Sequence, residues 1–233
     1  MKIVVLTGAG VSADSGVSTF RDPEGVWAKY DYREVATPEG FQANPSLVHE
    51  FYNARRLGLK SVAPNAAHFA LAKLEEALRE ANGKLTLVTQ NVDDLHERAG
   101  SNAVIHMHGE LTRVRCENCS HIASWTEALS VETNCPSCLM PGGMRPHIVW
   151  FGEVPMHMRE ISEALDDADQ FVSIGTSGSV YPAAGYVAEA RKIGIPCTEL
   201  NLEPSENAHY FTNSFYGPAA EVVPQWVESV IKD

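Results

Sequence analysis

Four of the five cysteines fall in the pattern Cys116-x2-Cys119-x15-Cys135-x2-Cys138. Each C-x2-C knuckle presents two sulfurs on a tight turn, and two knuckles complete a thiolate tetrahedron for zinc. Four protein ligands leave no open coordination position, so such a zinc is structural. A redox C-x-x-C would ask for one reactive pair and not two. The fifth, Cys197, lies in or at the entrance to an apolar run and reads as a small buried hydrophobe.

A second group of residues suits an anion and a sugar. Gly8-Ala9-Gly10-Val11-Ser12-Ala13 fits G-x-G-x-x-A. Its glycines let the backbone turn tightly and approach a pyrophosphate, and the helix N-terminus that follows offers free N–H groups. A bare strand–turn–helix fits the same letters. A hydride-transfer enzyme would show a second strand ending in an acidic residue about 20 residues further on. That position holds Phe20-Arg21-Asp22-Pro23-Glu24-Gly25, which is no strand. A dinucleotide stays open beside the bare turn, and ordinary dehydrogenase chemistry does not.

Three more clusters follow apolar runs. Thr89-Gln90-Asn91-Val92-Asp93 offers an amide and a carboxylate for a ring amide and a ribose, or a cap for a helix through His96. Gly175-Thr176-Ser177-Gly178-Ser179 makes an anion nest, a ribose contact or a plain strand-to-helix turn. Asn201-Leu202-Glu203 adds polar groups, or a cap or turn, after the last apolar run. Finally, His106-Met107-His108-Gly109-Glu110 carries two imidazoles, the usual proton carriers near pH 7. Alternation after Val104-Ile105 puts both on one strand face, so periodicity does not choose between them. The chain has nine histidines, and any one taken alone reads as structural.

These clusters need a scaffold that brings them to one edge. Apolar runs at 3–6, 85–88, 171–174 and 195–200 predict short buried strands. Helical periodicity covers 46–57 and 65–81, with Gly83 as a stop signal. The longer helix, with Phe69, Leu71, Ala72, Leu74 and Leu78 apolar, reads as packing with a solvated Glu–Lys face. Strands alternating with helices predict an α/β fold with a parallel sheet covered on both faces, whose ligands bind at the carboxyl ends of the strands. Two stretches break the rhythm. Residues 20–40 read as a long irregular loop, and residues 112–143 as a separate module inserted into the α/β domain.

The balance of 18 Lys+Arg against 30 Asp+Glu gives a net charge of −12. It argues against nucleic acid, which asks for a basic face, and it suits solubility and basic protein substrates. The N-terminal apolar run is too short for a signal-peptide core, and no stretch approaches a membrane span. A cytoplasmic protein is expected, with no membrane partner.

Taken together and in this order, the motifs resemble the sirtuin family. The residues are Gly8-Ala-Gly-Val-Ser12 with Ser15-Gly16 and Phe20-Arg21, then Thr89-Gln-Asn-Val-Asp93, His108-Gly109, the four cysteines, Phe151-Gly152-Glu153 and Gly175-Thr-Ser177. Val11 and Val92 stand where isoleucine is commoner. The resemblance implies a Rossmann-like domain of residues 1–21, 64–110 and 146–233. A helical or loop insertion of 22–63 and a zinc module of 111–145 would form the small domain. It implies NAD as a consumed co-substrate, one structural zinc per chain, and acylated lysine-containing proteins or peptides as partners. By likeness, His108 is the general base, and Asn91 and Asp93 bind the nicotinamide end. Gly8, Ala9, Gly10, Ser12, Phe20, Arg21 and Gln90 line the dinucleotide. Gly175, Thr176, Ser177, Asn201, Leu202, Glu203 and Ala219 hold its adenosine side. The peptide adds as a strand between Val149, Phe151, Gly152 and Glu153 on one side and Gly178, Ser179 and Val180 on the other. A monomer is expected.

A finer resemblance concerns the acyl group. Tyr52-Asn53-Ala54-Arg55 looks like the Tyr-x-x-Arg pair of the branch acting on succinyl- and malonyl-lysine. On a helix, i and i+3 share a face, so Arg55 would fork onto a carboxylate and Tyr52 would add a hydrogen bond. Ala36 resembles the small residue that widens that branch's acyl pocket. Without the resemblance, the pair reads as a solvated arginine and a core tyrosine, and Arg56 reads as a surface charge. Acetyl-lysine is a further substrate in this reading. The rivals are a mono-ADP-ribosyltransferase on the same NAD site, a zinc-ribbon nucleic-acid binder and a catalytically idle NAD sensor.

Overall fold

Lys2–Thr7 and Lys84–Thr89 each start with one exposed lysine followed by five buried residues. Such runs lack alternation because both faces of the strand are covered. The computed structural model describes residues 1–18 and 29–232, so Phe20 and Arg21 lie outside the described residues. In chain order its elements are β1 (Lys2–Thr7), α1 (Gly10–Ala13), α2 (Tyr32–Val35), α3 (Pro38–Ala43), α4 (Pro45–Gly58), α5 (Ala66–Glu80), β2 (Lys84–Thr89), α6 (Leu95–Arg98), β3 (Val104–His106), β4 (Gly109–Cys116), β5 (Ile122–Ser124), β6 (Met144–Ile148), α7 (Met158–Asp166), β7 (Gln170–Ile174), α8 (Tyr186–Lys192), β8 (Cys197–Asn201), β9 (Asn213–Tyr216) and α9 (Ala219–Lys232), with short 3-10 turns between some of them.

Six parallel strands form one sheet in the order β3-β2-β1-β7-β8-β9. Numbered within the sheet this is 3-2-1-4-5-6, the doubly wound order of dinucleotide-binding domains. Period two sends Ile3 and Val5 to one face, where they meet Leu71 and Leu74 of α5 and Trp226 of α9. Val4 and Leu6 go to the other face, against Ile161 of α7 and Val187 of α8. Cys197 is fully buried there, as its apolar surroundings predict. Helix α5 starts where expected, with the Asn65 side chain accepting from the Ala67 N–H at 2.9 Å. Its buried face carries His68, while Phe69 is turned outward and is 54% exposed. Among the described residues, no helix is long and apolar enough to cross a membrane.

The chain makes two excursions from this sheet. The first carries α2, α3 and α4. The second is an antiparallel sheet in the order β5-β4-β6. The two pack against each other through Val35, Ala36, Val48, Phe51, Leu111, Ile148 and Trp150. Residues 29–40 are therefore more regular than their composition suggests. Asp31 caps α2 by accepting from the Arg33 N–H, and Thr37 caps α3 by accepting from the Gly40 N–H. Helices of four and six residues are too short to show a helical period. Within the second excursion, a register shift between Glu110 and Val114 interrupts strand alternation in β4. Strands β4 and β6 also run through the expected boundaries at 110/111 and 145/146.

Arg56 is not a surface charge. It is 3% exposed, and burial pushes its pKa down to about 10, which still leaves it charged at neutral pH. Its Nε donates to the Leu111 carbonyl at 2.8 Å, and one terminal nitrogen donates to Asn53 Oδ1 at 2.9 Å and to the Glu127 carbonyl at 3.3 Å. Asn53 in turn accepts from the Leu129 N–H and donates to the Leu129 carbonyl, both at 2.8 Å. The last turns of α4 thus clamp the second excursion. Arg56→Met is expected to cost on the order of 2 kcal/mol, because it strands buried carbonyls that have lost their donor. Scanning calorimetry should show a midpoint several degrees lower; an unchanged midpoint would contradict the clamp.

Candidate active site at the carboxyl edge of the sheet

Strands β1 and β7 are neighbours at which the strand order reverses, the place where open α/β sheets leave a crevice. The turns that follow them cross in close contact. Gly8 N donates to the Ile174 carbonyl and Gly10 N to the Gly175 carbonyl, both at 2.9 Å. A Cβ on Gly8 or Gly10 would sit 2.7 Å from the Gly175 backbone, and one on Gly175 (φ +63°) would sit 2.4 Å from Val11 N. The crossing tolerates no side chain at any of the three positions.

Behind this crossing lies a buried polar network. Thr7 donates to Thr89 Oγ1 at 2.9 Å, and the Asn91 N–H donates to the same oxygen at 3.0 Å. Asn91 Nδ2 donates to Ser12 Oγ at 3.1 Å, and the Ser12 hydroxyl donates to Asp93 Oδ2 at 3.1 Å. Asp93 Oδ1 accepts from the Leu95 N–H at 3.2 Å. The N-cap of α6 is Asp94, whose side chain makes no capping hydrogen bond, so neither Asn91 nor Asp93 is the cap; Asp93 instead holds the first N–H of the helix and lines the crevice. Burial raises the Asp93 carboxyl above its ordinary range, while the Leu95 N–H and the Ser12 hydroxyl oppose that rise. His68 accepts from the Asn65 N–H on Nδ1, so its Nε2 carries the proton facing Ser12 Oγ at 3.4 Å. Burial pushes His68 down to about 4 and His96 well below its ordinary value, so both stay neutral.

The two imidazoles of the His106–His108 segment part company. Strand β3 ends at His106, and Met107-His108 form a turn, so they do not share a strand face. His106 Nε2 lies 2.6 Å from Glu97 Oε1, and its Nδ1 lies 3.4 Å from the Asn91 carbonyl. Burial works against charge on His106, but the Glu97 carboxylate outweighs it and raises the pKa. His108 Nδ1 faces the Gln90 carbonyl at 3.2 Å and must be the donor, which leaves a lone pair on Nε2. Burial holds His108 below the ordinary histidine range, against the Gln90 hydrogen bond. It is a neutral base at pH 7, whereas His106 is committed to an ion pair.

These groups open into a cleft of about 1000 Å³. From the sheet edge it is lined by Gly8, Ala9, Gly10, Gln90, Asn91, Asp93, His108, Gly175, Thr176, Ser177, Asn201, Leu202, Glu203 and Ala219. From the excursions it is lined by Ala36, Tyr52, Arg55, Val149, Phe151, Gly152 and Glu153, with Val180 nearby from the large sheet's side. Ser12 is fully buried just behind the wall. Gly178 lines a separate small cavity with Asn207, and Ser179 lines neither. Trp150, Leu59, Val62 and Tyr181 also line the cleft and were not singled out from the sequence. Only Trp150 had a signal, as the direct neighbour of Phe151-Gly152-Glu153.

On the excursion wall, Tyr52 is 1% exposed and its hydroxyl accepts from Trp150 Nε1 at 3.0 Å. The partly buried Arg55 guanidinium lies 5.8 Å from the centre of the Tyr52 ring, as i and i+3 spacing predicts. Burial lowers the Arg55 pKa, opposed by Tyr52 and Asp93. Ala36 is buried, and its carbonyl accepts from the Phe151 N–H at 3.0 Å. The Glu153 carboxylate turns inward. It accepts from Arg145 at 2.9 and 3.0 Å, from Arg115 at 2.9 Å and from the Trp150 N–H at 2.8 Å. Burial would raise its pKa, but the two arginines hold it below the ordinary range.

The four cysteines converge. Cys116 and Cys138 Sγ are 3.8 Å apart, Cys119 and Cys135 Sγ are 3.7 Å apart, and all four lie within 4.8 Å of one another. A zinc tetrahedron with Zn–S of about 2.3 Å has edges of about 3.8 Å, so the donor set and spacing fit one structural zinc ion. Cys116 ends the eight-residue strand whose other end, Gly109, adjoins His108. Such a strand spans roughly 23 Å, so the cluster stands far from His108.

The cysteine cluster and most of the cleft lining fall inside the part of the chain that a family profile matches, while Asn201, Leu202, Glu203 and Ala219 lie beyond it. The sequence profile described as Sir2 family matches residues 8–182. An NAD-dependent protein deacylase of Caulobacter vibrioides is 61% identical over 233 residues, covering 99% of this chain and 97% of that protein. A crystal structure of a Sir2 homologue–NAD complex matches with a TM-score of 0.86 at 36% identity, over 99% of this chain and 90% of that one. A Sir2 bound to acetylated peptide matches with a TM-score of 0.83 at 28% identity, over 98% and 92%. With both the profile and near full-length identity in agreement with the Rossmann order and the thiolate cluster, the chain belongs to the Sir2 family.

Proposed function

We propose that the cleft binds NAD and consumes it in removing acyl groups, succinyl and malonyl as well as acetyl, from lysine side chains of proteins or peptides. The observation that carries this reading is the position of His108, a neutral imidazole with a free Nε2 lone pair, in the same cleft as the glycine crossing. The crossing suits the pyrophosphate, and Asn91 and Asp93 suit the nicotinamide end. The acyl oxygen of the substrate lysine attacks the ribose carbon as nicotinamide leaves. His108 then takes the proton of a ribose hydroxyl, so that this oxygen attacks the imidate carbon. The lysine amine then leaves as the C–N bond to the former imidate carbon breaks, and one water adds to that carbon, so the products are free lysine, nicotinamide and O-acyl-ADP-ribose. The relatives named deacylase and the Sir2 structures with NAD and with acetylated peptide support the same chemistry.

For the acyl group, Arg55 supplies a cation on the wall of a protein whose net charge is −12. Tyr52 and Ala36 share that wall, one polar and one small. For the peptide backbone, the Phe151 N–H is already given to Ala36 and the Glu153 N–H to the Trp150 carbonyl. Strand-like pairing on that side therefore rests on Gly152 and on the carbonyls. Opposite it, the Val180 carbonyl already accepts from the Ala184 N–H.

Mass spectrometry on matched acetyl-lysine and succinyl-lysine peptides, with and without NAD, tests the reading. The expected result is NAD-dependent loss of the succinyl group, lowered at least about tenfold by Arg55→Met, since a bidentate charge-assisted pair is lost. Loss of acetyl alone would keep the deacylase and discard the acidic-acyl wall. ADP-ribose left covalently on protein would replace both with a transferase.

A further inference from the structure

We propose that Trp150 sets the acyl preference of this cleft by fixing which way the Tyr52 hydroxyl donates, a role that rests on the acidic-acyl reading above. An indole N–H only donates, so the 3.0 Å contact between Trp150 Nε1 and the Tyr52 oxygen has one possible direction. The phenol oxygen accepts there, and its own proton must seek another acceptor. Among the described residues, the Tyr52 hydroxyl donates to no protein group, although Tyr52 is 1% exposed and Trp150 2%. Both residues line the cleft beside Arg55 and Ala36. A carboxylate at the end of an acyl chain would supply the missing acceptor. The methyl of an acetyl group would not.

The indole is itself held in place. The Arg145 guanidinium carbon lies 3.2 Å from the centre of the Trp150 ring, and Arg145 is 2% exposed. Glu153 grips that guanidinium with both oxygens, and Arg115 joins the same carboxylate. A cation over the ring face draws electron density from the indole and strengthens its N–H as a donor. Phe41 packs at 5.2 Å on the same indole. Without the indole N–H, the Tyr52 oxygen would need a new donor, and Arg55 is the cation beside its ring. Arg55 would then be drawn from the acyl carboxylate to the phenol.

The test is a double-mutant cycle on the full chain with Trp150→Phe, Tyr52→Phe and the double variant. The readout is the ratio of kcat/KM for succinyl-lysine to that for acetyl-lysine peptide. Trp150→Phe should lower this ratio about tenfold, mainly through KM for the succinyl peptide, the factor for about one charge-assisted hydrogen bond. The double variant should be no lower than Tyr52→Phe alone, because Trp150 acts through that hydroxyl. A merely structural role would lower both substrates alike and leave the ratio in place. A ratio unmoved by Trp150→Phe, or a double variant showing the product of the single effects, overturns the proposal. A wild-type protein that removes acetyl but never succinyl removes the acidic-acyl reading, and this one with it.

Discussion

His108→Ala is expected to lower turnover by about 10²–10⁴-fold, the span associated with losing a positioned general base. The substitution removes one side chain from the cleft wall and one hydrogen bond to the Gln90 carbonyl, so the thermal midpoint should move little. The pH dependence follows from the environment of the imidazole. Burial lowers the His108 pKa, so the neutral, proton-accepting form persists below the ordinary histidine range of about 6.5. The acid limb of kcat/KM should therefore fall below pH 6.5, and activity should be lost as pH drops through the lowered value. His106 titrates on the other side, raised by Glu97, and is already committed to that partner. A fully active His108→Ala protein, or an acid limb above pH 7, would remove His108 from the role.

The other large effect concerns the metal cluster. Cys116→Ala, or prolonged chelation, should release zinc and unfold the segment between β4 and β6. The reason is the size of the core that remains. Val114, Leu129, Met144, Cys116 and Cys135 form its buried cluster, and two of those five are zinc-ligand candidates. So small a core does not hold a fold alone, and structural zinc contributes about 10–16 kcal/mol in isolated zinc-finger peptides. The parallel sheet has separate cores on its two faces and should survive. Metal analysis with amide hydrogen exchange would show zinc falling from one per chain and protection lost in 117–143 but kept in β1, β2 and β7. A stable variant that still binds one zinc would refute the four-thiolate site.

What could be read from the sequence follows from how local each signal is. Strands β1, β2 and β7 were legible because strands buried on both faces must be continuous apolar runs. Helix α5 was legible from its period and its asparagine cap. The cysteine spacing was legible because zinc geometry constrains four sulfurs directly. Helices α2 and α3 were not, since each is shorter than a period can establish. The alternation of β4 was masked by its register shift. The choice between His106 and His108 depended on Glu97 and on the strand ending at His106, both tertiary facts. Arg56 did carry a signal: Val48, Tyr52 and Arg56 recur every four residues along α4, and all three are buried. A charge on that stripe points to a buried clamp, and its neighbour Arg55, one position round the helix, points into the cleft.

The two excursions have a consequence for how this enzyme family member can change. The glycine crossing at Gly8, Gly10 and Gly175 is fixed by backbone contact, so the sheet edge that holds it accepts almost no variation. Ala36, Tyr52 and Arg55 instead sit on a stretch of chain that departs from the sheet and comes back to it, and Trp150 lies on the other. The proposed chemistry and the proposed taste for an acyl chain thus occupy separate mutational territories. On the proposed reading, drift or directed selection at those four positions would retune which modification is erased while the glycine crossing stays in place.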